Sequence, residues 1–358
     1  MASQARDLDH VMFAGFTHEP AVRLAERLLA TAPAGLTRVF YSDNGSTAVE
    51  VALKMVVQAF LHAGHPERRV FVALEGAYHG DTFGAMAVGD PHPFFRAFEP
   101  MLFRVRRAPR TEEGIRQALD ELGPEAAGVV LEPLVQGAAG MVMHPAELVR
   151  TARRLCDERG LMLVADEVMT GFGRTGALFA CDLAGVAPDA LCLAKGLTGG
   201  MVPLAATLAS ERLYEAFLST ERSRAFFHGH TFTANPIGCA VALASLEVCA
   251  AEGTPGRLEA IGQRIEAGLV DVANLPVVLD LRRLGGIVAL ELRPMAGDQP
   301  GYLAELGPRL RRRAMERAVL LRPLGNVLYA MPPSSTTPED CDRIAEVIVA
   351  LVREVEQG

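Results

Sequence analysis

Two short apolar runs in the middle of the chain constrain its fold more than any other feature. The runs LMLVA (residues 161–165) and ALCLA (residues 190–194) have the length of strands and contain no charged residue. Continuous apolar strands are typical of parallel sheets that are covered by helices on both faces. The first run ends on Asp166 and the second on Lys195. Because residues at the carboxyl ends of parallel strands face the ligand crevice, we expect Asp166 and Lys195 at one edge of the same sheet.

Lysine is almost absent from this chain, whose 35 basic residues are 33 arginines and 2 lysines, Lys54 and Lys195. A guanidinium stays protonated, whereas a lysine amine can deprotonate, attack a carbonyl and later carry a proton. Lys195 is therefore a candidate nucleophile. Lys54 lies in a helical run, and we interpret it as a solvated or paired side chain.

A lysine beside a carboxylate suits pyridoxal phosphate, because the amine can hold the cofactor as a Schiff base while the acid keeps its ring nitrogen protonated. The segments LVADEVMTGFGRTG (residues 163–176) and CLAKGLTGG (residues 192–200) resemble the core of class III aminotransferases, and the resemblance runs from about Asp9 to the C-terminus. It implies a pyridoxal-phosphate-dependent transferase of fold type I, in which Asp166 and Lys195 are the catalytic and cofactor-binding pair.

Length and the order of elements indicate two domains in an α/β chain. The 358 residues exceed what one core usually holds, and strands alternate with helices along the sequence. Gly and Pro interrupt two helical patterns at residues 252–256. We expect a large cofactor-binding domain (residues 1–252), with a mostly parallel sheet flanked by helices, and a small C-terminal α+β domain (residues 253–358).

A glycine turn between a strand (residues 37–41) and a long helix (residues 47–61) is a candidate phosphate site. Free backbone N–H groups and the positive end of the helix dipole would point at the same spot. The alternative is an ordinary turn in which Ser46 caps the helix. The resemblance implies that Gly45 and Ser46 bind the cofactor phosphate.

The segment GAYHGDT (residues 76–82) follows another predicted strand. An aromatic ring between glycines can lie flat on a planar ligand. Alternatively, Tyr78 packs on the core and His79 is a hydrogen-bonding loop residue. The resemblance places Tyr78 against the cofactor ring and near the substrate, with His79 and Asp81 on the substrate side.

The segment FFHGHTFTANP (residues 226–236) carries two histidines at alternating positions. They lack an acidic or Cys companion, so we do not expect a metal site. The resemblance instead implies that Thr231 reaches the cofactor phosphate of the other subunit in an obligate homodimer with shared active sites. It puts His230 on the substrate side, where relatives often have proline.

Arg322 precedes Pro323 and Gly325 at a predicted strand end, where a guanidinium can make a bidentate contact with a carboxylate. The residues alone favour a surface salt bridge, whereas the resemblance assigns Arg322 to the substrate carboxylate. Relatives that use glutamate as amino donor carry a gating glutamate in the loop at residues 136–140. Ala138 stands there in this chain.

The charge and the cysteines exclude several classes of protein. A net charge of −8 argues against nucleic acid or an anionic membrane as a partner. The six cysteines are scattered, without a Cys-x-x-Cys pair, so neither zinc nor a disulfide framework is indicated. The N-terminal residues lack a signal pattern, and no apolar stretch is long enough to cross a bilayer. We expect a cytoplasmic enzyme.

The activity that the resemblance implies is a two-stage transamination. Within this family, the amino-acid sequence most resembles the biotin-synthesis branch. In that branch 8-amino-7-oxononanoate is the acceptor, and adenosylmethionine, or in some members lysine, is the donor. Another ω-amino acid or diamine transaminase of class III remains an alternative. So does an impaired cofactor-binding homologue, because relatives carry an N-terminal segment with pocket-lining tryptophans. That family segment is expected to be missing before Asp9, and the chain has no tryptophan.

Overall fold

The computed structural model describes residues 1–90, 95–294, 297 and 301–357. The chain divides into two compact units. The first comprises residues 1–134, 144–172 and 179–251, and the second comprises residues 135–143, 173–178 and 252–358. Two short segments that precede residue 252 therefore belong to the second unit.

Twelve strands occur in the described part of the chain, and they belong to three sheets. They are β1 (Leu36–Ser42), β2 (Val70–Leu74), β3 (Val105–Ala108), β4 (Ala126–Leu131), β5 (Val135–Gln136), β6 (Val142–Met143), β7 (Met162–Asp166), β8 (Ala190–Leu193), β9 (Ala205–Ser210), β10 (Val278–Leu284), β11 (Ile287–Leu292) and β12 (Val327–Ala330).

The helices of the same residues alternate with these strands through most of the chain. They are α1 (Ala2–Asp7), α2 (Glu19–Thr31), α3 (Gly45–His62), α4 (Phe83–Val88), α5 (Glu112–Leu122), α6 (Ala146–Arg159), α7 (Ala180–Ala184), α8 (Glu211–Glu215), α9 (Pro236–Ala251), α10 (Thr254–Ala267), α11 (Val270–Ala273), α12 (Leu306–Glu316) and α13 (Pro338–Glu356).

The first unit contains a seven-stranded sheet in the order β1-β9-β8-β7-β4-β2-β3. The neighbours from β8 to β3 pair in parallel, and β9 pairs antiparallel with both β8 and β1. Every residue of β2, β4, β7 and β8 is buried, because helices cover both faces of the sheet. The predicted α/β fold with a mostly parallel sheet is confirmed.

The start of α3 differs from the sequence prediction. The cap is Asn44, whose side chain accepts a hydrogen bond from the Thr47 N–H, while the Thr47 hydroxyl contacts the Asn44 backbone in return. This reciprocal capping box satisfies two groups that the first helical turn leaves without partners. The helix therefore begins at Gly45, and the alternative in which Ser46 is the cap is wrong.

The second unit is an α+β assembly in which β10, β11 and β12 form an antiparallel sheet. Its apolar core combines that sheet with α10, α12 and α13. Within this unit, Arg282 donates hydrogen bonds to the carbonyls of Gly140 (2.6 Å) and Met141 (2.9 Å). One guanidinium thus holds the turn between β5 and β6.

In three segments outside the site, the structure differs from what the local sequence pattern favours. The pattern around Leu320 favours a strand, but α12 ends at Glu316 and the backbone turns at Ala318 with φ of 57°. The pattern at residues 257–273 favours one long helix, but the chain forms α10 and α11, which part at Gly268. The sequence at residues 90–109 reads as irregular, yet this region contains β3; residues 91–94 of it lie outside the described part.

No single helix of the described residues is both long and apolar enough to cross a membrane. The consecutive helices α9 and α10 meet the length and composition criteria only as a bent pair.

Candidate active site

Asp166 is the last residue of β7, and its carboxylate is held from two sides. In the parallel register Asp166 lies opposite Cys192 of β8, three residues before Lys195. Oδ2 lies 2.7 Å from Nδ1 of His79, and Oδ1 accepts a hydrogen bond from the Val168 N–H at 3.0 Å. The side chain is almost fully buried. The strand end therefore presents a carboxylate whose orientation is fixed.

His79 is buried against this carboxylate. A carboxylate can only accept, so Nδ1 is the protonated, donating nitrogen of the ring. Burial alone would lower the pKa of His79, but the hydrogen bond to Asp166 and the charges of Asp166 and Glu132 outweigh it, and the pKa is raised above its ordinary value. The other nitrogen, Nε2, is buried without a hydrogen-bond partner among the described residues.

Glu167, the next residue, is fully buried and has a different task. Its carboxylate accepts hydrogen bonds from the N–H groups of Ala180 (2.7 Å) and Cys181 (2.8 Å) and from the Thr170 hydroxyl (3.1 Å). Burial raises its pKa to about 7 against the opposing effect of these bonds. Glu167 thus anchors α7, while Asp166 is presented at the site.

The start of α3 lies against two other segments of this unit. A Cβ on Gly45 would come within 2.7 Å of a Val168 methyl, and one on Gly80 would come within 2.0 Å of the Ser46 hydroxyl. The Ser46 hydroxyl also accepts a hydrogen bond from the Asp81 N–H at 3.2 Å. Glycine at positions 45 and 80 lets the turn, the 78–81 loop and the end of β7 converge.

The same turn has the features of an anion site. The N–H groups of Gly45 and Ser46 have no hydrogen-bond partner in the part of the chain that the structure describes. They open an 18-residue helix, so the helix dipole adds to their attraction for a negative group. The residues present therefore fit a phosphate.

Tyr78 is half-buried and connects three groups. Its hydroxyl donates to Asp81 Oδ1 at 3.0 Å, its N–H donates to Glu132 Oε1 at 3.1 Å, and its ring stacks on Phe95 with centroids 6.0 Å apart. Glu132, which follows β4, had no assigned role in the sequence. The signal was available, because an acid directly after a buried parallel strand repeats the pattern of Asp166.

Lys195 follows β8 in an uncommon backbone conformation. Its φ is 39°, and such positive values cost a non-glycine residue about 1–3 kcal/mol. The side chain is exposed, and its amine has no hydrogen bond or ion pair among the described residues. A Cβ on the following Gly196 would meet the Phe172 ring at 2.9 Å. The turn is thus held tightly while the amine stays available.

The segment at residues 226–235 places its predicted site residues at the surface of this unit. Thr231 and His230 are exposed. The His230 ring lies 3.8 Å from Asp43, and its backbone N–H donates to the Thr233 hydroxyl. The chain thus brings His230 beside the turn that precedes α3.

Arg322 belongs to the second unit and is exposed, with Nη2 donating to the Tyr302 hydroxyl at 3.2 Å. Another arginine of that unit, Arg174, was not singled out in the sequence. It is bonded to the carbonyls of Gly286 and Pro332, and burial lowers its pKa to about 10. Its position between glycines in GFGRTG was the available signal.

Comparison with known proteins assigns this arrangement to a family. A family model described as aminotransferase class-III matches residues 1–352. Two similar relatives carry the name adenosylmethionine-8-amino-7-oxononanoate aminotransferase. The protein from Synechococcus elongatus is 47% identical over 99% of this chain and 86% of its own length, and that from Geobacter sulfurreducens is 42% identical over 100% and 84%.

Solved structures give the same assignment. An enzyme of that name from Methanocaldococcus jannaschii superposes with a TM-score of 0.93 at 34% identity, over 99% of this chain and 83% of the other. An amine transaminase from an uncultivated Pseudomonas species, in a form with bound pyridoxal phosphate, superposes with a TM-score of 0.90 at 33% identity, over 99% and 85%.

Proposed function

Because this chain belongs to the class III aminotransferases, we propose that it transfers an amino group to 8-amino-7-oxononanoate, giving 7,8-diaminononanoate for biotin synthesis. We propose S-adenosylmethionine as the amino donor. The observation that carries this proposal is the near-complete match to relatives named for this acceptor and this donor, at up to 47% identity.

The enzymes of this class depend on pyridoxal phosphate, which supplies a ring that withdraws electrons from the substrate carbon. We assign its phosphate to the N–H groups of Gly45 and Ser46, supported by the helix dipole of α3. We assign its ring nitrogen to Asp166, whose carboxylate His79 holds in place, and one ring face to Tyr78. The convergence of these segments on the end of β7 supports the assignment.

Lys195 is the residue that we propose to attach the cofactor and to move protons. Its Nζ is exposed and unbonded among the described residues, and it follows the strand next to that of Asp166. With its amine free of the cofactor, Nζ would act as the general base that takes a proton from the donor carbon and, in the second stage, as the general acid that gives a proton to the acceptor carbon. The single lysine at this edge accounts for both tasks.

We place the substrate against Tyr78, Asp81, His230 and Arg322, with Arg322 binding the carboxylate of 8-amino-7-oxononanoate. The hydrogen bond from the Tyr78 hydroxyl fixes the Asp81 carboxylate, which supports a polar contact with an amino group. Ala138 offers no carboxylate in the loop at residues 136–140, which supports a donor other than glutamate.

We also propose that the enzyme is a homodimer in which Thr231 contacts the cofactor phosphate of the other subunit. Large apolar side chains flank Thr231 at the surface, since Phe227 is 75% and Phe232 is 58% exposed. Exposed apolar side chains of this size are typical of association surfaces. The cysteines of the described residues form no disulfide, and this supports a reducing compartment such as the cytoplasm.

The test is the absorbance spectrum of the purified protein with pyridoxal phosphate, recorded before and after 7,8-diaminononanoate is added. This diamine is the expected product and should run half of the reaction backwards. We expect the band of the lysine-bound cofactor to convert to that of pyridoxamine phosphate.

Two other outcomes would contradict parts of the proposal. If the cofactor binds but the diamine leaves the band unchanged while another diamine or ω-amino acid converts it, the enzyme is a different class III transaminase. If no lysine-bound band forms, the assignment of Lys195 is wrong.

A further inference from the structure

Lys54, the second lysine of a chain that otherwise uses arginine, makes a specific contact in the structure. It lies in α3, and its Nζ is 2.9 Å from Nδ1 of His228, 174 residues further along the chain. The same ammonium lies over the Phe226 ring, 5.6 Å from the centroid. The interpretation of Lys54 as a paired side chain therefore acquires a definite partner.

The partner belongs to an ordered aromatic group of the first unit. The His228 and Phe226 rings stack with centroids 5.7 Å apart and an angle of 11°. The Phe40 ring of β1 packs edge-on against both, at 5.4 Å from Phe226 and 5.9 Å from His228. The ammonium completes this group with a cation–π contact and a hydrogen bond.

The chemistry of the contact explains why a lysine is retained here. An ammonium can only donate, so Nδ1 of His228 must accept and the ring proton must lie on Nε2. A compact ammonium can donate to Nδ1 from above the neighbouring ring, whereas a planar guanidinium would stack on the aromatic face. Lys54 thereby selects one neutral tautomer of His228.

A further contact also ties the 226–235 segment to the region of α3. It is the approach of His230 to Asp43, at 3.8 Å, and Asp43 itself accepts a hydrogen bond from Thr47 of the first helical turn. Thr231 directly follows these two tethered histidines.

We propose that Lys54 is a positioning residue for the cofactor site: by holding neutral His228 it fixes the segment that carries Thr231. The inference rests on the proposed function, because it takes Thr231 as a contact of the cofactor phosphate. Lys54 itself touches neither cofactor nor substrate in this scheme.

The ionisable groups that face His228 are Lys54, Glu50 and His230. Burial first, and then Lys54 and His230, lower the pKa of His228, and Glu50 opposes them. Protonation of His228 would turn Nδ1 from an acceptor into a donor that faces another cation. We therefore expect acid pH to release the segment, and loss of Lys54 to raise the pKa of His228.

The experiment compares Lys54→Met, His228→Ala, the double variant and Lys54→Arg with the wild type. The control is Gln58→Leu, which removes a hydrogen bond from α3 to the Ala225 carbonyl without contacting His228. Two quantities are measured on the full chain: the Kd for pyridoxal phosphate, and the ¹⁵N-detected titration of the His228 ring without cofactor. Circular dichroism and thermal unfolding verify that each variant is folded.

We expect Lys54→Met to weaken cofactor affinity about tenfold, as the loss of one charge-assisted hydrogen bond would. His228→Ala should weaken it equally, and the double variant no further. Lys54→Arg should restore less than half of the loss, and Gln58→Leu should behave like the wild type. In the titration, Lys54→Met should raise the pKa of His228 and remove the preference for a proton on Nε2.

The inference is overturned if the wild type binds cofactor and turns over but Lys54→Met binds it equally well, or if the effects of the two single variants multiply. An unchanged His228 titration in Lys54→Met overturns it as well. If the wild type binds no cofactor, the proposed function itself is wrong. The His228 titration then still shows whether Lys54 and His228 are coupled.

Discussion

His79 and Asp166 form a buried pair in which Nδ1 of the imidazole lies 2.7 Å from Oδ2 of the carboxylate. The two residues come from the loop after β2 and from the end of β7, strands that are separated in the sheet by β4 alone. Because both side chains are shielded from water, the hydrogen bond fixes the carboxylate more firmly than a surface contact would.

Replacing Asp166 by Asn should lower kcat about 10²- to 10³-fold, because the change removes the charge that we assign to the cofactor ring nitrogen. It should also lower the pKa of His79, since the hydrogen bond and charge that raise it are lost. Steady-state kinetics and a titration of the His79 ring measure the two effects. Glu167→Gln is the matched control, an acid-to-amide change one residue away. A comparable loss of kcat in that control would contradict the distinct roles of the two acids.

Replacing Lys195 by Arg should abolish turnover, with a loss of about 10⁴-fold or more, because a guanidinium neither attaches the cofactor nor transfers the proton. The variant should still bind pyridoxal phosphate through the start of α3, without the absorbance band of the lysine-bound form. Rapid mixing with 7,8-diaminononanoate measures the rate of the half-reaction. Turnover by the Lys195→Arg variant would contradict the proposed role of Lys195.

Replacing Gly80 by Ala should destabilise the protein by about 3 kcal/mol and prevent tight binding of the cofactor. Its φ is +127°, and the added methyl would overlap the Ser46 hydroxyl. Gly64→Ala is the control, since Gly64 also has a positive φ of +85° but open space around its missing side chain. That change should cost only about 1–2 kcal/mol and spare cofactor affinity. Equal cofactor affinity in the two variants would contradict the close approach at Ser46.

The buried carboxyl of Glu167 should make stability depend on pH. Its pKa is raised from 4.5 to about 7 in the folded chain, so the folded state binds the proton more tightly than the unfolded state does. The resulting stabilisation is complete below pH 4.5 and is lost as pH rises through 7, a change of about 3 kcal/mol.

Guanidinium unfolding at pH 5 and pH 8 measures this effect. Between these two pH values the free energy of unfolding should fall by about 2.5 kcal/mol more in the wild type than in Glu167→Gln. Glu113→Gln, a change at an exposed acid of α5, should follow the wild type. Parallel pH profiles for the wild type and Glu167→Gln would show that Glu167 is ionised throughout.

The sequence predicts best those helices and strands whose conformation depends on their own residues rather than on contacts with distant segments. The runs at residues 161–165 and 190–194 are apolar throughout, and they form β7 and β8 within one residue at each end. The edge strand β3 does not read as a strand, because three of its four residues are only partly buried and its sequence is VRRA, with two arginines. Pairing with β2, which no local pattern reveals, is what makes it a strand.

Within the site, the sequence predicts which strand end a residue follows, but it does not predict which side chains contact each other. Asp166 and Lys195 were placed at strand ends from their own neighbours. The bond between His79 and Asp166 joins residues 87 apart, and that between Lys54 and His228 joins residues 174 apart. Such contacts depend on the order of strands in the sheet and on the packing of α3. For that reason His79 was expected only near the substrate, and Lys54 was left without a named partner.

Arg282 holds the turn between β5 and β6 through the carbonyls of Gly140 and Met141, and these groups are present whatever side chains the turn carries. These two hydrogen bonds therefore do not depend on the identity of Ala138. A substitution at that position can add or remove a charge without removing either bond. A change of one codon at position 138 can therefore alter the side-chain chemistry of this loop in a transaminase, while the hydrogen bonds from Arg282 to the backbone stay the same.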